Sequence, residues 1–237
     1  MQLPKIDYPT IKIQIPPEKK AYMFRPMLVK EEKLLLMAKV SEEDTDILQA
    51  IKQVVNNCCL DPTLEIEKLP LYALEYVFVQ LRGFSIGDKI DVSYRDLEDG
   101  KNYDFQINLS EVNVKFPDNV DKVIKITESS GLVMKYPAAS IYSDKTFLKA
   151  EGEETFYRLV VRCIDQIYDA ENVYEGKDFE EAAILEFLEY MDIPSFEKVR
   201  TFMLDLPSLY YKIEYTNSNG NKREIELKTL SDFFTLR

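Results

Sequence analysis

The 237-residue sequence contains no histidine. That absence removes every Ser-His-Asp and Cys-His arrangement, every His-containing zinc site, and the commonest general acid or base at neutral pH. Cysteine is scarce: Cys58, Cys59 and Cys163 are the only three. The first two are adjacent and bridge each other only under strain. All three therefore read as buried or half-buried thiols of a reducing compartment, too few for a four-thiolate zinc site. Cations are outnumbered, with 30 Lys and Arg against 42 Asp and Glu, a net charge of −12. Without a basic stripe, nucleic-acid binding is not expected. No apolar run approaches the length of a membrane span, so membrane insertion is not expected. The opening MQLPKIDYPTIKI has no long apolar stretch and is interrupted by proline, unlike a signal peptide.

What is present is a folded composition, 46% hydrophobic and 12% aromatic, enough for one large core or two small ones. The patterning predicts an α+β fold of helical lobes with inserted β-hairpins. Ile11, Ile13 and Ile15 alternate with polar residues as a strand, and Ala21 to Arg25 returns as its hairpin partner. A helix over about 28–39 follows, and a second from Ser41 as N-cap to about Cys58. Leu69-Pro70 opens a third, apolar nearly all round and ended by Gly83. Residues 86–137 read as mostly β, with a hairpin turning at Asp99-Gly100. Helices are expected at 140–149, 153–168, 178–191 and 193–206, and a loop over 171–177. A second hairpin turns at Asn219-Gly220, and 230–236 closes the chain as a short helix or turn. The expected division is 1–137 and 138–237, open to packing as one globular unit.

The two hairpins share a layout. Each follows a helix begun by Leu-Pro or Ile-Pro, and each ends in Leu-Ser-acid, at 109–111 and 230–232. This suggests a degenerate duplication, helix–helix–hairpin repeated, with two lobes about a pseudo-two-fold axis.

No stretch carries catalytic chemistry. The acidic helix 178–191 reads as a solvated face. Asp96, Glu98 and Asp99 lack the regular alternation of an EF-hand loop. A carboxylate-based cell-wall hydrolase needs two converging carboxylates, and the sequence shows none. Catalytic, cofactor-binding and metal-ligating residues are therefore given as none. Two groups are candidate partner contacts. One is the charged collar Lys30-Glu31-Glu32-Lys33 with the preceding Arg25, which reads either as a partner surface or as a solvated first turn. The other is the C-terminal aromatic set, Tyr210, Tyr211, Phe233 and Phe234 with Tyr215, which reads either as interface or as core. The excess of Leu and Met over Leu28–Val40 fits a helix wedged between elements, with partner contact as the alternative.

The stretches FRPMLVKEEKLLLMAK and LPLYALEYVFVQLRGFSIGD, over about residues 22–88, resemble the baseplate hub assembly or hub subunit proteins of T4-like tailed bacteriophages. The resemblance implies a non-enzymatic tail protein that contacts other hub or tail proteins, present in the host cytoplasm during assembly and in the virion baseplate if it stays. A dissociable tail-assembly chaperone is the alternative it leaves open. It also implies Cys-x-x-Cys-like turns at the hairpins of relatives. Here those turns are RDLEDGKN and TNSNGN, so no metal role carries over.

Overall fold

A computed structural model describes residues 6–41, 44–118, 120–144, 147 and 152–233. The fold is α+β, with seven α-helices and eleven strands among the described residues. Its contacts divide the chain into two compact units, 1–115 with 208–237, and 116–207. This line differs from the expected 137/138 division, because the C-terminal hairpin sits with the N-terminal unit.

The first unit is organised on the third helix. Strands β1 (Ile11–Gln14) and β2 (Ala21–Phe24) form the expected hairpin, pairing Ile11 with Phe24 and Gln14 with Ala21. Helices α1 (Val29–Val40), α2 (Asp44–Cys58) and α3 (Leu71–Ile86) follow. On α2, Ile51, Val54, Val55 and Cys58 recur at helical spacing and are fully buried. Nine residues of α3 are buried, and the helix touches α2, β1, β5 (Asn113–Lys115) and β10 (Ser208–Thr216). The hairpin of β3 (Lys89–Arg95) and β4 (Asn102–Asn108) packs beside a three-stranded sheet ordered β11–β10–β5, where β11 is Lys222–Leu227. Ile90, Ile107, Leu109, Leu209, Ile213 and Phe233, the last from α7 (Leu230–Phe233), share one buried cluster with Val79.

The second unit is a four-stranded antiparallel sheet with three helices. The sheet order is β6 (Val123–Lys125), β7 (Gly131–Met134), β8 (Ile164–Tyr168), β9 (Val173–Glu175). Helices α4 (Glu153–Cys163), α5 (Glu181–Glu189) and α6 (Ile193–Leu204) supply Val160, Ile184, Leu188, Val199 and Phe202 to its core. Asp192 caps α6 by accepting from the Ser195 N–H at 2.9 Å. Close approach explains Gly131 in β7: a Cβ there would collide with the backbone carbonyl oxygen of Ile124 and lie 2.5 Å from the Tyr168 hydroxyl oxygen.

Several expectations are corrected. Ser41 ends α1 rather than starting α2: its hydroxyl donates to the Ala38 carbonyl at 2.7 Å. The third helix runs through Gly83, which has no Cβ and so lets Leu109 pack on the helix backbone; the chain turns instead at Gly87, with φ 145°. The helix expected over 153–168 ends at Cys163, because β7 offers a ladder to Ile164–Tyr168 and the helix would forfeit it. The expected loop at 171–177 contains β9, paired to that same strand. Over 140–149, residues 141–143 form a single 3₁₀ turn, and most of the rest lies outside the described residues. The helix-then-hairpin order does recur, but α6 belongs to the second unit and its hairpin to the first, so the second set is not one lobe.

Candidate functional site

The signature stretch folds around one ion pair. Pro26 holds Arg25 extended, and the strand runs beside the end of α2, with the Arg25 N–H on the Cys58 carbonyl at 3.0 Å. Glu31 is the third residue of α1 and reaches back to accept from the Leu28 N–H at 3.0 Å, the acidic half of a capping box. The Arg25 guanidinium meets the same carboxylate with both terminal nitrogens, at 2.9 and 3.2 Å. It also donates to the Pro26 carbonyl at 2.9 Å. The Glu31 side chain is fully buried and that of Arg25 is 16% exposed. Hydrogen bonding to Glu31 raises the Arg25 pKa against the opposing effect of burial. Burial acts to raise that of Glu31, but the bonds from Arg25 and Leu28 outweigh it and hold the carboxyl below its ordinary value. The Met27 N–H donates to the Ser85 hydroxyl at 2.9 Å, tying the arm to α3.

The collar is therefore not uniformly solvated. Arg25 and Glu31 fasten the arm, whereas Lys30 and Lys33 are exposed. Nor is α1 wedged between elements. Leu35 is its one buried apolar residue, while Val29, Leu36, Met37 and Val40 stand 79%, 43%, 64% and 83% exposed. Beside it runs a groove of about 730 Å³, lined by Leu34 and Met37 of α1, Ala50 of α2 and Ile66 of the 3₁₀ turn Ile66–Lys68. Lys52 in this groove is buried and pairs with Glu67 at 2.6 Å.

The C-terminal aromatics divide. Phe233 is a core residue, 1% exposed, and Phe234 lies outside the described residues. Tyr210 and Tyr211 are half-buried on β10, with Lys115 over the Tyr210 ring at 4.9 Å. Tyr215 has a different task. Its hydroxyl donates to buried Asp96 at 2.6 Å, and its ring lies 4.9 Å from that of Tyr103. Asp99 accepts from the Tyr103 hydroxyl at 2.6 Å and from the Ser218 N–H at 3.0 Å; Glu98 accepts from Asn217, Asn221 and Arg223. The three turn carboxylates thus clasp the tip of the second hairpin, and the Tyr215 bond to Asp96 holds that carboxyl below its ordinary range. Sequence reasoning missed this clasp because its partners are more than 115 residues apart.

No three His, Cys, Asp or Glu side chains among the described residues are grouped to hold a metal ion. Burial pushes the Cys58 thiol up to about 11 and Cys163 to about 12, which leaves both protonated and unreactive at neutral pH. No helix among the described residues is long and apolar enough to cross a membrane.

A family model described as T4 bacteriophage base plate protein matches residues 8–235, far beyond the signature at 22–88. No curated protein and no solved structure compared with the chain matches it. The chain belongs to the T4 bacteriophage base plate protein family.

Proposed function

We propose that this protein acts, without catalysing a reaction, in the assembly or structure of the central hub of the baseplate. It works by binding other hub or tail proteins in the host cytoplasm and not by binding nucleic acid. The family supports a baseplate role. The observation that carries the contact reading is α1, a helix anchored through Arg25 and Glu31 that presents Val29, Leu36, Met37 and Val40 to solvent. Exposed apolar residues on one face, with Lys33 among them and Lys30 at their edge, have the composition of a contact surface. The net charge of −12 favours basic partners elsewhere on the surface.

The test is affinity capture of the tagged full chain from infected cells. Hub or tail proteins are expected in the eluate, and an eluate without them refutes the reading. Reversing Lys33 to glutamate, and replacing Lys30 by the neutral glutamine because its Nζ lies 3.6 Å from buried Glu31, is expected to leave the melting curve nearly in place and to reduce recovery. Unchanged recovery excludes the collar as the contact. Mass spectrometry of purified virions tells a resident subunit from a departing assembly factor.

A further inference from the structure

The second unit carries a surface that the α1 reading leaves unused. Residues 164–192 hold ten carboxylates and one cation, Lys177, a local net charge of −9 out of −12 for the whole chain. Asp165 is answered by Lys135 and Glu181 by Arg162. Glu171, Asp178, Glu180, Glu186 and Glu189 have no cation within ion-pair distance among the described residues, and all are exposed. An apolar pocket of about 420 Å³ lies between α5 and the sheet, with Ile126, Ser130, Ile167 and Tyr168 on one side and Ala183, Phe187 and Met191 on the other. Asp178 and Glu180 adjoin its Phe179 in the chain, and Glu186 and Glu189 adjoin its Phe187 and Tyr190.

Five of its twelve lining residues are aromatic, Tyr168, Tyr174, Phe179, Phe187 and Tyr190, and Met191 stands beside them. Tyr174 and Phe179 meet edge to face, their ring centres 6.1 Å apart. Phe179 and Tyr190 are 45% and 84% exposed, a large apolar area to leave in water. The polar group at the rim is Asp169, and it is already engaged by the N–H groups of Glu171 and Asn172 and by the Tyr174 hydroxyl. A small polar ligand would therefore find few groups free to orient it. Nucleic acid and anionic lipid would be repelled by the net negative charge of residues 164–192. What fits is an apolar anchor approaching with positive charge on either side of it.

We propose that this pocket receives a large apolar side chain from a lysine- or arginine-rich segment of a protein partner. Aromatic walls and Met191 supply the contact area, and the unpaired carboxylates steer and align the cationic flanks. The proposal rests on the reading of the protein as one that works through contacts. Its test needs no phage component, so it fails or succeeds independently of the capture experiment.

The test is selection of a displayed library of random dodecapeptides on the full-length protein. Enriched peptides are expected to place one large apolar residue between Lys or Arg residues. A labelled representative is then titrated by fluorescence anisotropy. Tyr190→Ala is expected to weaken it by about thirtyfold, the scale of a truncated aromatic anchor. Ala183→Trp, which fills the pocket from an exposed helix position, is expected to do the same without removing any packed group. Glu171→Lys with Glu186→Lys is expected to slow association and to flatten its dependence on salt. Enrichment of acidic or uncharged peptides, no enrichment, or pocket variants that bind the peptide as tightly as the parent protein each overturns the proposal.

Discussion

Glu31→Ala tests whether the signature stretch is fastened by its ion pair. Removing one member of a buried pair leaves the other charge uncompensated and costs about 3–5 kcal/mol. Arg25 keeps the Pro26 carbonyl and is 16% exposed, which places its share at the low end of that range. The Leu28 N–H also loses its acceptor, adding about 1 kcal/mol. The sum, about 4 kcal/mol, corresponds to a fall in melting temperature of roughly 8–16 °C for a chain of this size. The chain has no tryptophan, so far-UV circular dichroism is the suitable probe. Arg25→Met combined with Glu31→Leu removes both charges and is expected to recover most of the loss, because a buried pair replaced by apolar groups costs little. The pH dependence has a definite sign. The folded Glu31 carboxyl lies below its ordinary value. The pair therefore contributes fully above the unfolded pKa, and that contribution disappears as pH falls through the folded value. Glu31→Ala lacks this acid-dependent part. A Glu31→Ala protein that melts within about 2 °C of the parent, or a double variant less stable than the single one, refutes the reasoning.

Two further outcomes are expected. Glu75 in α3 is pushed up to about 7 by burial, so its folded form holds a proton that the unfolded form releases near 4.5. Its contribution to stability is therefore lost as pH rises through that window, and Glu75→Gln is expected to gain about 3 kcal/mol over the parent at pH 8 and nothing at pH 4, read from denaturant midpoints at both; equal midpoints at pH 8 refute it. Tyr215→Phe removes the hydroxyl that donates to Asp96. Faster amide exchange confined to the two hairpin tips, around 96–101 and 217–221, is expected. Unchanged protection there refutes the clasp.

The sequence alone showed most element types, because period-2 and helical spacing are local properties. The hairpins, the buried face of α2 and the proline-led start of α6 follow from residues within a few positions of each other. The exclusion of histidine chemistry needed only composition. Tertiary structure decided the rest. Ile164–Tyr168 became a strand because β7 was there to pair with it. Glu31 became a buried anchor and not a solvated charge because Arg25, six residues earlier, folds back onto it. Phe233 entered the core while Val40 stayed outside, though each is the apolar last residue of its helix. The turn carboxylates Asp96, Glu98 and Asp99 showed no partner in the local sequence, and theirs lie on a hairpin more than 115 residues away. Local periodicity sets what each segment can become. Which charges are satisfied, and which apolar faces stay uncovered, depends on neighbours that only the folded chain brings together.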